Sequence, residues 1–487
     1  MPTPTTSHLT RLGLPACMLG LAVSAAAAPA DEIQSTAQER ESLAVTIYND
    51  ALALVRDTRR VTLAQGSNRV ALREVSAKIM PETASLRASD GSALALLEQN
   101  FDYDLLSDQS LLNKYIGRSV QVIRTHPATG QEQRESATVL SNNGMPVLQY
   151  ADRVETGLPA NARLAFDGVP AQLRDQPTLV LTLQAPQAGA QLLDLSYLTQ
   201  GIGWRADYVA TLSHDENSLG LSGWVTLDNQ SGVAYENAQL QLVAGDVGRA
   251  PPERYRAKNL EMMAAPVMAA PAPMQQEALF EYHLYTLPRP TTIASQQTKQ
   301  VALLSANGVP LRKEYRLQGE PHWYSVHGSD THYSPELGEP RKVDVFVEFD
   351  NKGGELGVPL PKGVVRVYKA DSKGRALFIG EDRIDHKAKD EQVRLKLGSA
   401  FDLNGTWKRL SVDKLSDKLY EIRVQIELRN AKEVPATIKV VEPIGGHWTM
   451  QKESHPHSKA ASGLAQWNVE VPAGGKTVLD YTVRMQY

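Results

Sequence analysis

The chain has 487 residues, 42% of them hydrophobic and 22% charged, with a formal net charge of -4. This length exceeds a single ordinary core and predicts roughly two to four domains. The composition excludes wholesale disorder. The weak negative charge supplies no basic field for a nucleic-acid backbone or an anionic membrane, so no nucleic-acid partner is expected.

Residues 1–30 read as a signal peptide. A polar start with His8 and Arg11 precedes an apolar run from Leu12 to Ala28, and Asp31 and Glu32 follow. Ala28-Pro29-Ala30 places small residues where a signal peptidase reads, which predicts a mature start near Asp31. A cut between Ala25 and Ala28 would remove the same segment. The run is about seventeen residues, marginal for spanning a hydrocarbon core of roughly 30 Å. Cys17 is the only cysteine. Leu14-Pro15-Ala16-Cys17 faintly imitates a lipidation box, but most of the apolar stretch follows Cys17 instead of preceding it, which favours an inert signal-peptide residue. The mature chain then has no thiol and no disulfide. No later stretch is long and apolar enough for a second span, so no integral membrane segment is expected after cleavage. These features predict a periplasmic or secreted protein of a bacterial cell envelope.

A flexible mature amino terminus is expected over 31–43 and an amino-terminal β domain over 44–190. Leu43-Ala44-Val45-Thr46-Ile47-Tyr48 begins a hydrophobic period of two, and Ser89-Asp90-Gly91 reads as a turn. Between Leu105 and Arg118, apolar residues at helical spacing stop at Gly117, which predicts a short helix. Short strands and sharp turns over 118–170, including Asn142-Asn143-Gly144, predict a small barrel-like insertion of five strands. A β-sandwich is expected over 191–340. It is interrupted by an Ala/Met/Pro-rich loop over 251–276, whose methionines are more simply explained by composition bias than as copper ligands. A last sandwich-like region is expected over 341–487. Strand-like alternation recurs at Val209 to Leu212, Lys342 to Val347 and Glu421 to Ile426, and Asp371-Ser372-Lys373-Gly374 marks a hairpin. The segments ending in Asp228-Asn229, Asp350-Asn351 and Arg429-Asn430 each alternate and close on Asn. Stacked sandwiches would produce this repeat, and so would the ordinary turn preference of Asn. The predicted fold class is all-β, with tandem antiparallel sandwiches.

Several blocks resemble a known family. They are Tyr197-Leu198-Thr199-Gln200-Gly201-Ile202-Gly203-Trp204-Arg205-Ala206-Asp207-Tyr208, Leu240 to Gly245, Pro359 to Tyr368, Phe378 to Asp382, Leu397-Gly398 with Phe401-Asp402, and Gly446-His447-Trp448. Together they resemble the bacterial domain of unknown function 4139 over about Leu192 to Tyr487. The preceding half, with Tyr48-Asn49-Asp50-Ala51-Leu52-Ala53-Leu54-Val55, is similar to the mucoidy-inhibitor-like group, without that group's long coiled coil. The resemblance implies no catalytic residues.

Nor do the residues themselves show a nucleophile elbow, a zinc-protease helix motif, a phosphate loop or a calcium loop, and no cofactor is expected. His322, His327 and His332 lie five apart, with His447, His455 and His457 near the carboxyl end. If those loops met, imidazoles and Asp330 would suit zinc or copper, the basis of an alternative reading as a metal-dependent hydrolase. Solvated loop histidines are the commoner cause of such a pattern. Trp323, Tyr324 and Tyr333 sit among polar residues, as do Tyr282 and Tyr285, where flat rings would anchor a protein or stack on a glycan. Trp204, Trp224, Trp448 and Trp467 lie in strand-like runs and read as core. Arg205, and Arg366 with Glu381 and Asp382, read as structural ion pairs across strands sooner than as a site. The leading functional expectation is a non-catalytic binding or scaffold module for an envelope protein or glycan.

Overall fold

A computed structural model describes residues 32–486, except 171, 246–247, 249–273, 280–281 and 325–338. The predicted signal peptide and most of the Ala/Met/Pro-rich loop therefore lie outside the described residues. The fold is all-β: among the described residues thirty strands accompany a single α-helix and three 3-10 turns. The two-residue period does this directly. Along Leu419–Asn430 the residues Ile422, Val424, Ile426 and Leu428 are buried, while Arg423 and Arg429 alternate with them on the outer face.

A four-stranded sheet, in the order Ile33–Ser35, Gly66–Arg73, Thr178–Ala185, Ala95–Asp102, and an eight-stranded sheet centred on Arg40–Ile47, Leu52–Leu63 and Gly189–Gln200 share one core. Val70, Leu72, Leu179 and Leu181 meet Val45, Val55 and Leu195 within it. Residues 31–43, expected to be flexible, are ordered from Ile33 onward. Ile33–Ser35 pairs in parallel with Gly66–Arg73, and the buried Arg59 donates Nη1 to the Ser35 carbonyl at 2.8 Å. Asp57 holds that guanidinium by two further bonds, at 2.8 and 3.1 Å.

The insertion is a five-stranded sheet, but an open one, not a barrel. Its order is Val154–Thr156, Val147–Gln149, Glu132–Ser141, Ser119–Thr125, Ala162–Ala165. The two edge strands are three and four residues long and do not pair with each other. The expected helix is Asp108–Lys114, begun by Ser107 in a capping box with Ser110. Gly117 follows its end at φ 79°, a left-handed position that glycine adopts without steric cost. Leu112 and Tyr115 from this element cover Val120, Val122, Val139 and Leu148 of the sheet.

A thirteen-stranded sheet carries the rest. Its first part, Ala376–Ile384, Gly363–Ala370, Ile202–Leu212 and Ser218–Asn229, contributes to the first core, to which strands on both sides of residue 190 belong. Its second part, Leu419–Asn430 and Lys476–Gln486, packs on Ala436–Pro443 and Leu464–Val471 around a second core of Trp407, Trp467, Ile426 and Tyr481. Two long strands, Gln297–Gln318 and Gln392–Ser416, take part in both. Gln275 and Gln276, placed in the loop from sequence, instead open the strand Gln275–Leu279, which pairs with Tyr282–Thr286.

The three asparagines are a structural repeat. Asn229, Asn351 and Asn430 are all buried, and each amide spans two separate chain segments. Nδ2 of Asn229 donates to the carbonyls of Val233 and Ala294 at 2.8 and 3.0 Å. Asn351 reaches Val358 and Ala388 at 2.7 and 2.9 Å, and Asn430 reaches Val434 and Val471 at 2.9 and 3.1 Å. In every case Oδ1 accepts a nearby backbone N–H, from Ser231, Gly357 or Lys432. Each amide thus satisfies the backbone of a buried strand end that no ladder serves.

Candidate functional site

The first part of the thirteen-stranded sheet curls until the edge strand Ala376–Ile384 comes alongside Gln392–Ser416. No ladder joins these two strands. They approach at Gly380, where any Cβ would sit 2.7 Å from the Leu397 carbonyl oxygen, and Asp382 Oδ2 accepts the Lys396 N–H at 2.7 Å. Ile379 and Leu397, on either side of this approach, line a cavity of about 210 Å³.

The cavity follows from the strand period. The inward row of Gly363–Ala370 runs Val365, Val367, Lys369, and that of Gln297–Gln318 runs Val309, Leu311, Lys313. Each apolar row thus meets an ammonium group. Leu311 and Val347 belong to the first core, whereas Tyr315, four residues along its row, and Val345, two residues along its own, pack on the second. The cavity occupies the change from one core to the other.

Glu216 caps it. This residue sits in the turn between Ile202–Leu212 and Ser218–Asn229 with φ 59°, a strained backbone for a residue with a side chain. Its carboxylate accepts Lys313 Nζ at 2.6 Å and Lys369 Nζ at 2.5 Å. Burial alone would raise its pKa, but the two ammonium groups outweigh burial and hold it at about 2. Two cations thus share one anion at the mouth of an apolar cavity. Beside them Lys432 Nζ donates to the Tyr315 hydroxyl at 3.0 Å. Against the effect of burial, Lys432 and Lys313 lower that phenol's pKa.

Outside the cavity, the edge strand exposes Leu377, Phe378 and Ile379 to 52, 55 and 38% in succession, and Phe401 on the facing strand is 86% exposed. Consecutive exposed apolar side chains of this kind mark a surface for contact with another chain.

The residues singled out from sequence fall elsewhere. Tyr324 is 1% exposed, so its ring is not a surface anchor. It ends the short turn Pro321–Tyr324, donates its hydroxyl to Glu442 Oε2 at 2.6 Å and touches the Tyr481 hydroxyl. Trp407 Nε1 donates to the other oxygen of Glu442 at 2.7 Å. The cause of the correction is packing: Gly319, where a Cβ would lie 2.4 Å from Glu442 Oε2, lets the chain dive so that Tyr324 enters the second core. Burial pushes the Glu442 carboxyl up to about 7, although its hydrogen bonds pull the other way. His322 and Trp323 share the Pro321–Tyr324 turn, while His327, His332 and Tyr333 lie outside the described residues.

Among the described residues no group of three His, Cys, Asp or Glu side chains could hold a metal. His455 Nδ1 lies 2.9 Å from Ser454 Oγ, and His457 Nδ1 lies 2.9 Å from Glu453 Oε2. Trp448 and Trp467 are core, as their strand positions suggest, and Tyr285 is buried with its hydroxyl on the Pro359 carbonyl at 2.8 Å. Arg366 bonds Asp207 at 3.1 Å and Glu381 at 3.3 Å, and Arg205 reaches Asp207 at 3.3 Å, a structural ladder across adjacent strands.

A family model described as "Domain of unknown function (DUF4139)" matches residues 193–487. The chain belongs to this family. The DUF4139 region thus contains Glu216, Lys313, Lys369, the apolar edge and the Glu442 cluster. No curated protein matches the chain.

Sequence reading missed Glu216, Lys313, Lys369, Glu442 and Trp407. For three of them a signal existed. Lys313 and Lys369 continue apolar inward rows, and Glu442 continues the row Ile438, Val440 on Ala436–Pro443. A charged residue in phase with a buried row is the mark to look for.

Proposed function

We propose that this DUF4139 chain is an exported envelope protein that acts by binding a protein or glycan partner, and not by turning over a substrate. The observation that supports this most is the edge strand Ala376–Ile384, with its run of exposed Leu377, Phe378 and Ile379. A protein partner fits this edge better than a glycan. An apolar protein surface laid over these side chains would bury them together with Phe401. The weakly acidic chain and its apolar edge share no feature with a nucleic-acid interface.

The test pairs two measurements on the mature protein from its native envelope. Intact mass should place the first residue near Asp31. Leu377→Asp with Phe378→Asp should abolish crosslinking to the partner captured by the unaltered protein while leaving the melting temperature within a few degrees. Undiminished crosslinking by that variant sinks the edge reading, and an uncleaved chain sinks export.

A further inference from the structure

The cavity beneath Glu216 shares Ile379 with the outer edge but has a chemistry of its own. Its walls are the apolar side chains of Leu212, Leu311, Val347, Ile379 and Leu397. Its polar lining includes Lys313 and Glu216, and the Glu216 carboxylate accepts both Lys313 at 2.6 Å and, behind it, Lys369 at 2.5 Å. At about 210 Å³ the space equals on the order of seven water molecules, room for a short hydrocarbon chain. An apolar cavity with a few convergent polar groups is the common form of a small-molecule site.

We propose that this cavity binds a single-chain amphiphile with an anionic head. The head displaces the Glu216 carboxylate from Lys313 and Lys369, and the chain lies along Leu212, Leu311, Val347 and Leu397.

Three observations converge on that class. The charge at the mouth is unbalanced, with two ammonium groups to one carboxylate, and Lys432 stands nearby on the Tyr315 hydroxyl. The carboxylate is delivered from a turn whose backbone is strained at Glu216, and strain of this kind collects at binding sites and switches. Thirdly, Leu212, Leu311, Val347 and Leu397 give a chain an apolar wall directly beside Lys313 and Glu216. A neutral amphiphile would leave the lysines on Glu216 and gain only the walls. A hydrophilic anion would gain only the lysines.

The experiment titrates the mature protein with octanoate, octanol, butyrate and phosphatidylglycerol vesicles, read by calorimetry and by amide chemical shifts. Octanoate should bind, with octanol and butyrate at least tenfold weaker. Lys313→Gln with Lys369→Gln should weaken octanoate at least tenfold. Glu216→Gly removes the competing carboxylate and relieves the left-handed strain, and should strengthen octanoate about tenfold. That gain separates a ligand site from a structural plug, because loss of a plug brings no affinity. Binding to vesicles without binding to octanoate overturns the cavity in favour of a membrane surface. Equal affinity for octanoate and octanol, or no response to Glu216→Gly in a folded variant, overturns it as well. None of these variants touches the exposed edge, so partner crosslinking and octanoate binding fail independently.

Discussion

Tyr324 donates its hydroxyl to Glu442 Oε2 at 2.6 Å, which pins the turn Pro321–Tyr324 to the strand Ala436–Pro443 in the middle of the second core. Glu442 is the only fully buried carboxyl of that core among the described residues, and Trp407 and Tyr481 complete its surroundings. Tyr324→Ala would empty a ring-sized space and strand an acceptor, at a cost of about 3–5 kcal/mol. Tyr324→Phe should cost about 1–3 kcal/mol, the penalty for an unmet buried acceptor. Urea midpoints check this ordering, and a Tyr324→Phe midpoint equal to that of the unaltered protein would mean that the hydroxyl contributes nothing.

Glu442 also sets a pH dependence. Its carboxyl titrates at about 7 in the folded chain and near 4.5 when free, so the folded state holds a proton that the unfolded state has lost between those values. Stability from this group is therefore fully present below pH 4.5 and declines as pH rises through 7, by about 3 kcal/mol in all. Glu442→Gln does not titrate, and its amide oxygen keeps one acceptor for Trp407 or Tyr324. Its unfolding midpoint should stay level from pH 5 to 8 while that of the unaltered protein falls. Parallel profiles would assign the slope to other groups.

The asparagine repeat predicts like costs at unlike places. Asn229→Ala, Asn351→Ala and Asn430→Ala each remove the donor that two or more backbone carbonyls share, for about 2–4 kcal/mol apiece. Asp at the same positions keeps the acceptor but not the donor and should be no better. Thermal melts of the six variants measure this, and a harmless Asn351→Ala would limit the repeat to two of its three members.

Because Tyr324 belongs to the core, partner contact at the neighbouring Trp323 is tested by Trp323→Ala alone. This variant should weaken crosslinking to the partner captured by the unaltered protein, and undiminished crosslinking would remove Trp323 as an anchor.

The strands were readable because alternation such as Ile422, Val424, Ile426 has a single physical cause, a sheet with one wet face. The helix at Asp108–Lys114 was readable from Gly117. Closure of the insertion was not, since pairing between sheet edges depends on strand lengths that local pattern leaves open. Tyr324 was misjudged for a related reason: its polar neighbours describe the chain around it, whereas its burial is decided by Gly319 and by Glu442, more than a hundred residues away. Glu216 gave no sign at all. Nothing in Asp215-Glu216-Asn217 marks the middle residue as left-handed, because the usual glycine is missing.

The strands Gln297–Gln318 and Gln392–Ser416 are 22 and 25 residues long, and each runs from one core into the other. No hinge can form where a continuous hydrogen-bonded rod crosses the junction. Tension applied to the chain ends would load both cores through the same two rods. Pulled in an optical trap, the two should yield in a single rip, because separating them means stripping a ladder and not straightening a linker.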